Sequence, residues 1–241
     1  MEHLIVIPAR MASSRLPGKP LVDIEGKSLI QRTYEQCLKA LPPEQVVVAT
    51  DDQKIMSHCN DHGLNVIMTS SDCLTGTDRV AEVAQKMDAD FYINVQGDEP
   101  LINPQDILDV KDSAKKYPGE VINGYAEIND EALYRSLTIP KVVLRPDGKL
   151  LYMSRSPIPG NKNGDFQVSW RQICVYGFPK KSLADFTSCS HKTPLEKEED
   201  IEILRFLELG YEVRMIPLSD NSVPVDTPED IEKVKDILNN G

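Results

Sequence analysis

The chain has 241 residues, of which 40% are hydrophobic and 27% are charged, and its formal net charge at pH 7 is −11. These proportions are ordinary for a globular protein. The acidic surplus argues against a nucleic-acid partner, because phosphate backbones bind clustered Lys and Arg. No apolar run approaches the roughly 20 residues of a membrane-spanning helix, so no membrane attachment is expected.

The N-terminal residues and the cysteines bear on the cellular compartment. Residues 1–8 lack the basic region and the long apolar stretch of a signal peptide, which predicts a cytoplasmic protein. The five cysteines are widely spaced and form no CxxC pair. This spacing argues against a disulfide framework and against a structural zinc site.

Short β-branched runs alternate with amphipathic stretches through the first half of the chain, which predicts an α/β fold with a mostly parallel sheet and flanking helices. Apolar strands such as 46–49 fit a sheet that is covered on both faces. The predicted strands are 4–7, 46–49, 65–68 and 91–95. The predicted helices are 29–41, 53–62, 78–87 and 103–116.

The pattern changes near residue 138. Strand-like runs at 139–144 and 149–153 flank a Pro-Asp-Gly turn, and a third run follows at 168–178. We interpret about 138–180 as a β-rich extension, typical of a lid or a dimer surface, within a single domain that spans 1–241. A long helix is predicted at 194–209, then a strand at 213–216 and a helix at 227–238 with Asp226 as its N-cap.

A basic loop follows the first predicted strand. Residues 8–20 hold three cations, Arg10, Arg15 and Lys19, and no acid. Ligands of open α/β sheets bind at the carboxyl ends of strands. Arg grips phosphate oxygens bidentately and Lys acts as a point charge, so the loop is suited to a triphosphate. The alternative is a solvated surface loop.

Two common phosphate motifs are excluded. Gly26-Lys27-Ser28 resembles the end of a P-loop, but the glycine that the motif requires earlier is replaced by Leu21. No GxGxxG string occurs. The chain is therefore neither a P-loop NTPase nor an obvious dinucleotide oxidoreductase.

Two aspartates are candidate ligands for a metal ion. Asp98 follows the predicted strand 91–95, and Asp226 joins a late strand to the last helix. Mg²⁺ binds one or two carboxylates together with phosphates and water, and it neutralises charge that develops on phosphate oxygens. Taken alone, an aspartate in the position of Asp226 is more often a helix cap. Together with Asp98 and the basic loop, it indicates a Mg²⁺ site.

Residues 69–79 combine turn and cap residues at the start of a predicted helix. The backbone donors of a helix N-terminus suit an anionic or polar ligand. Every helix has such a start, so this signal is weak by itself.

Taken together, these segments resemble the 3-deoxy-manno-octulosonate (Kdo) cytidylyltransferases. The resemblance rests on residues 7–21, 69–82, 94–100 and 225–230, in the same order over essentially the whole chain, and most specifically on the string Asn94 to Pro100. It implies a CTP-dependent nucleotidyltransferase that activates an acidic keto sugar for bacterial surface polysaccharide synthesis, with Mg²⁺ as cofactor. It also implies a homodimer that associates through the β-rich extension.

The resemblance implies a role for each matching residue. Arg15, Lys19, Asp98 and Asp226 are the expected catalytic residues, with both aspartates as metal ligands. The expected nucleotide-binding residues are Arg10, Ser13, Ser14, Gly76, Thr77, Arg79 and Gln96. The expected sugar-binding residues are Arg155, Gln172, Tyr176 and Glu202.

The chain departs from the family pattern in the sugar half. The family typically has histidine at Gln172, glycine at Cys174 and glutamine at Ile203. A site that lacks a donor can reject its usual polar substrate strongly. Kdo is therefore the leading acceptor, while a modified Kdo such as an 8-amino analogue, another acidic sugar, or a CTP-binding regulatory protein with a decayed sugar site remain alternatives.

Overall fold

A computed structural model describes residues 1–13 and 15–240. Its main sheet has the spatial order β11-β7-β10-β6-β1-β4-β5, and β8 and β9 extend it beside β10. The strands are β1 (His3–Ala9), β4 (Val46–Thr50), β5 (Val66–Met68), β6 (Phe91–Val95), β7 (Val121–Ile128), β8 (Lys141–Leu144), β9 (Leu150–Ser154), β10 (Ser169–Pro179) and β11 (Val213–Pro217), and a separate hairpin contains β2 (Asp23–Ile24) and β3 (Lys27–Ser28).

Strand direction confirms the mostly parallel sheet. β4, β1 and β6 pair in parallel, as do β4 with β5 and β7 with β11. β10 runs antiparallel to both β6 and β7. Strands β1, β4 and β6 are almost entirely buried, which is the pattern of a sheet with helices on both faces.

The helices of the described residues are α1 (Leu29–Leu38), α2 (Gln53–Asp61), α3 (Gly76–Lys86), α4 (Pro104–Lys116), α5 (Glu131–Arg135), α6 (Lys180–Phe186), α7 (Pro194–Glu199), α8 (Ile203–Glu208) and α9 (Pro228–Asn240). Side chains from α1, α2 and α4 pack on one face of the sheet, and side chains from α3, α6 and α8 pack on the other. α9 packs in a third, smaller hydrophobic cluster with the β2–β3 hairpin. Among the helices of 1–13 and 15–240, none combines the length and apolar character of a membrane span.

The β-rich segment consists of antiparallel strands. β8 pairs with β9 and with the first residues of β10. The second half of β10, Val175–Pro179, pairs instead with β6 in the central sheet. The predicted segment of about 138–180 is therefore joined to the core by one continuous strand.

The single helix predicted at 194–209 is wrong. The structure divides it into α7 and α8, because Asp200 adopts a left-handed backbone with φ +52°. Glu202 lies in this break, and its carboxylate contacts the start of α3. The predicted end of this region is confirmed, since Gly210 has φ +83°.

Gly177 of β10 provides a test of core packing. A Cβ atom added there would lie 2.3 Å from Phe91 Cζ and 2.9 Å from Val110 Cγ1. Phe91 is itself buried, so its ring has little room to move. We expect Gly177→Ala to lower the free energy of unfolding by about 1–3 kcal/mol, measured by urea denaturation.

Gly160→Ala is the matched control, because no atom lies within 4 Å of the added carbon. Equal stability of the two variants would show that the sheet accommodates the methyl group.

Candidate functional site

The candidate site begins where β1 and β6 end side by side. Gly97 follows β6, and a Cβ atom added to it would lie 2.8 Å from the carbonyl oxygen of Pro8. Only glycine allows the two chain segments to approach so closely. This approach places Asp98 beside the basic loop that follows β1, as the order of strands predicts.

Lys19 joins the two predicted metal ligands. Its Nζ atom donates to Asp98 Oδ2 at 2.6 Å and to Asp226 Oδ1 at 3.0 Å. Burial lowers the pKa of Lys19, but the two carboxylates outweigh this effect and raise the net pKa above its ordinary value. Lys19 therefore stays protonated and holds residues from distant parts of the chain together.

Asp226 is positioned by the main chain of its neighbour. The N–H of Val225 donates to the carbonyl oxygen of Asp98 at 2.9 Å, and the side chain of Val225 is fully buried. The prediction that Asp226 caps the last helix is wrong: α9 begins one residue later than predicted, which puts Thr227 at the cap position, and the Asp230 side chain accepts the N–H group of Thr227. The Asp226 carboxylate faces the cleft.

The basic loop presents its cations to the same space. Arg15 Nη2 lies 2.9 Å from Asp226 Oδ1, and the Arg15 side chain is 59% exposed. Arg10 is exposed at the end of β1. The hydroxyl of Ser13 accepts the N–H of Leu16, which supports its predicted role in shaping the loop. The predicted Ser14 lies outside the described residues.

The side chain of Glu202 contacts the N-terminus of α3. The N–H groups of Gly76 and Thr77 donate to its Oε1 and Oε2 at 3.2 and 2.8 Å. A carboxylate is favoured there by the free N–H groups and by the helix dipole. The contact brings the predicted sugar half against the predicted nucleoside half.

Arg79 is nearly buried in the first turns of α3. Its guanidinium pairs with Asp51 at 3.0 Å and donates to Thr69 Oγ1. Asp51 follows β4 and Thr69 follows β5, so Arg79 connects two further strand ends to the site.

A buried ion cluster supports the Glu202 contact, and the sequence carries no signal that predicts it. Arg205 of α8 donates to both oxygens of Glu196 at 2.6 Å, and both side chains are completely buried. Arg205 also pairs with Asp78 at 3.0 Å. The cluster fastens α7 and α8 to the first turn of α3 on either side of the break that carries Glu202.

These elements surround one cleft of about 340 Å³, which lies within the range of small-molecule sites. Five cations and four carboxylates are among the described residues that line it. The cations are Arg10, Arg15, Lys19, Arg79 and Lys192, and the carboxylates are Asp98, Asp200, Glu202 and Asp226. The cleft thus concentrates positive charge in a protein whose net charge is −11.

The structure brings together most of the predicted site residues. Ser13, Gly76 and Gln96 line the cleft with the charged side chains, while Thr77 contributes its N–H group to Glu202. The sequence reasoning missed Lys192 and Asp200, which pair at 2.6 Å on the cleft wall. Because the sequence predicts one continuous helix at 194–209, a lysine just before this helix gave no sign of a role in the site.

Three predicted sugar-binding residues are not among the described residues that line the cleft. Arg155 donates to the main-chain carbonyls of Glu199 and Asp200, Gln172 donates to Asn123 at 3.0 Å, and Tyr176 stacks with Phe178 in the sheet. Their role toward a sugar stays a prediction.

The donor set fits a hard cation that also contacts phosphate. The Asp98 and Asp226 carboxylates converge on one atom, Lys19 Nζ, and both line the cleft. Within the described part of the chain, no group of three or more His, Cys, Asp and Glu residues forms a complete metal site. Mg²⁺ suits such an open set, because it binds one or two carboxylates together with water and substrate phosphates.

Glu99 lies directly behind the aspartates. It is 6% exposed and accepts a hydrogen bond from Ser222. Burial is the main cause that raises the pKa of Glu99 to about 7; the Ser222 hydrogen bond opposes this rise and the nearby charge of Asp98 adds to it. A change in its protonation therefore falls close to neutral pH.

Comparison with known proteins is consistent with this geometry. Residues 4–216 match the profile of the family described as Cytidylyltransferase. The 3-deoxy-manno-octulosonate cytidylyltransferase of Protochlamydia amoebophila is 40% identical over 97% of this chain and 93% of its own length. The chain belongs to the 3-deoxy-manno-octulosonate cytidylyltransferase family.

Other members of this family support the assignment. The enzyme of the same name from Chlamydia pneumoniae is 41% identical over 97% of the chain and 92% of its own length. A solved structure of CMP:2-keto-3-deoxy-manno-octonic acid synthetase complexed with CTP superposes with a TM-score of 0.92. It is 36% identical, and the match covers 100% of this chain and 99% of the other. Both the predicted family and the predicted fold class are confirmed.

The position of Glu99 predicts a pH-dependent stability. Its folded pKa of about 7 exceeds the ordinary value of 4.5, so its contribution to stability is complete below about pH 4.5 and is lost as the pH rises through 7. Glu99→Gln cannot ionise. Between pH 5 and pH 8, we expect the free energy of unfolding of the variant, measured by urea denaturation, to rise by about 2 kcal/mol relative to that of the wild type.

Glu127→Gln, on the exposed side of β7, serves as the control and should follow the wild type. Parallel pH profiles for the wild type and Glu99→Gln would refute the assignment.

Proposed function

We propose that this protein transfers the CMP group of CTP to the anomeric hydroxyl of an acidic 3-deoxy-2-keto sugar and releases pyrophosphate. One observation carries the proposal: Lys19 and Arg15 meet Asp98 and Asp226 in a single cleft. Nucleotidyl transfer needs cations for the phosphates and carboxylates for a divalent metal in the same place. The named relatives act on Kdo, and Kdo is the leading acceptor.

The cleft supports a division of the nucleotide between two groups of residues. Arg10, Arg15 and Lys19 bind the phosphates, because bidentate and point-charge donors suit a triphosphate. An added Cβ at Gly76 would lie 3.7 Å from Gln96 Nε2, so these two residues proposed for the nucleoside are close together. Arg79, also proposed for the nucleoside, lines the same cleft.

Asp98 and Asp226 would hold Mg²⁺, which would supply neutralising charge for the phosphate oxygens. The chain itself binds and orients the reactants. The sugar hydroxyl forms its bond to the α-phosphorus as the bond to pyrophosphate breaks, and the hydroxyl proton passes to water. Arg15 and Lys19 stabilise the charge on the departing pyrophosphate, so catalysis rests on positioning and electrostatics.

Glu202 and the Lys192–Asp200 pair also line the cleft, and we assign them to the acceptor. Ile203, which departs from the family pattern, is 1% exposed and belongs to the hydrophobic core. Gln172 bonds to Asn123, away from the lining residues. These positions favour unmodified Kdo, and a modified Kdo or another acidic keto sugar is the second candidate.

The deciding experiment measures pyrophosphate release from CTP and Mg²⁺ with and without Kdo. Kdo-dependent release, with CMP-Kdo identified by mass, is the expected result. CTP binding without release would leave the nucleotide half standing and refute Kdo as acceptor. The absence of CTP binding with Mg²⁺ would overturn the proposal.

Asp98→Asn tests the catalytic cleft. The substitution removes a charge from the proposed metal site and one partner of Lys19, and we expect turnover to fall by a factor of about 100 or more with folding intact. Steady-state pyrophosphate release measures turnover, and circular dichroism measures folding. Asp112→Asn, exposed in α4, is the control. A fully active Asp98→Asn enzyme would remove Asp98 from the mechanism.

The β-rich segment supports a further proposal, that the protein is a homodimer. Exposed apolar side chains occur in and beside this segment: Leu137 is 65% exposed, Leu151 of β9 is 55% exposed and Val168 is 43% exposed. Contiguous exposed apolar patches are typical of association surfaces, and we propose that these side chains contribute to one.

Leu151→Glu tests the dimer. A charge placed at a buried interface is strongly unfavourable, so the variant should sediment as a monomer at concentrations where the wild type sediments as a dimer. Leu195→Glu is the matched control, because Leu195 is 42% exposed in α7, outside the segment. Dimeric Leu151→Glu, or a monomeric wild type, would contradict this surface.

A further inference from the structure

The groups proposed to bind phosphate and metal are paired with each other in this structure. Asp226 Oδ1 accepts from Arg15 at 2.9 Å and from Lys19 at 3.0 Å. Lys19 in turn contacts Asp98 at 2.6 Å. The four side chains therefore form one chain of alternating charge.

The pairing conflicts with the roles proposed above. A carboxylate oxygen that accepts from two cations has little remaining attraction for a metal ion. A guanidinium that is paired with a carboxylate offers fewer donors to phosphate, because its fork is partly engaged. While they are paired with each other, the cations cannot bind phosphate fully and the carboxylates cannot bind a metal ion fully.

Burial determines whether such pairs can exchange. The side chains of Lys19, Asp98 and Asp226 are 17%, 26% and 35% exposed, and Arg15 is 59% exposed. Ion pairs that reach solvent are weak and are replaced at little cost. By contrast, the Arg205–Glu196 pair is completely buried, and breaking it would strand a charge away from water.

We propose that CTP and the metal ion bind by an exchange of ion-pair partners. The phosphates of CTP bind Arg15 and Lys19 in place of the aspartates, and the aspartates then bind the metal ion. This inference rests on the proposed function and adds a coupling between nucleotide binding and metal binding. Each ligand removes the groups that hinder the other, so the protein itself couples the two binding steps. Coupling of this kind is reciprocal by necessity.

A double-mutant cycle isolates the exchange from general electrostatics. Metal-free CTP binding is measured by calorimetry, in the presence of EDTA, for the wild type, Arg15→Gln, Asp226→Asn and the double variant. We expect Asp226→Asn to tighten metal-free CTP binding about fivefold, and Arg15→Gln to weaken it at least about twofold more in the Asp226→Asn background than in the wild type.

Arg10 supplies the matched control cycle. It is an arginine of the same loop and the same cleft, and no contact with Asp226 is found among the described residues. A change in the field of the cleft would alter the contributions of Arg10 and Arg15 equally. If the partners are exchanged, the effects of Arg10→Gln and Asp226→Asn on CTP binding should be additive. The effects of Arg15→Gln and Asp226→Asn should not be additive. Additivity in both cycles would overturn the proposal.

The metal side is tested without nucleotide. Binding of Mn²⁺, followed by electron paramagnetic resonance, should be about tenfold tighter in Lys19→Met than in the wild type, because both carboxylates lose their shared cation. Unchanged or weaker Mn²⁺ binding would overturn the exchange. Wild-type CTP binding with Mg²⁺ separates the two proposals: its absence refutes the proposed function, whereas its presence with additive cycles refutes only the exchange.

Discussion

Lys19 contacts two carboxylates that come from positions 98 and 226, and the cleft takes its shape from this contact. Without a cation between them, Asp98 and Asp226 would repel each other at short range. The main-chain bond from Val225 to Asp98 fixes one approach, and the close contact of Gly97 with Pro8 fixes the other. The basic loop, the β6 end and the start of the last helix therefore meet at one ammonium group. Lys19, Asp98 and Asp226 thus have partners of opposite charge within the cleft itself.

Much of the fold could be predicted from the sequence because the buried parallel strands are continuous apolar runs. β6 has the predicted bounds, 91–95. β7 was missed, since its run is interrupted by Asn123 and Gly124. Both are explained only by packing: the Asn123 amide donates to the carbonyls of Ile173 and Val175, and Gly124 lies against Leu218. A polar residue that is satisfied across the sheet cannot be recognised from local periodicity.

The candidate site, too, could be predicted from the sequence only in part. Residues at strand ends, such as Arg10 and Asp98, could be predicted because parallel strands direct their carboxyl ends to one edge. Asp200 and Arg205 could not, since their importance depends on a helix break that the apolar spacing conceals. The buried Arg205 needs Glu196 and Asp78 at once, and these partners come from two different helices. Such three-way contacts exist only in the folded molecule.

The contact between Lys19 and Asp226 spans 207 positions of the chain. Loop-closure entropy opposes contacts of such high sequence separation, and they form late in folding. During synthesis, the three cations of the basic loop leave the ribosome long before the last carboxylate exists. The nascent protein can therefore build most of its α/β core while it still lacks one of the two carboxylates proposed to hold the metal ion. That site is complete only when the last segment has folded, which makes metal affinity a reporter of complete folding.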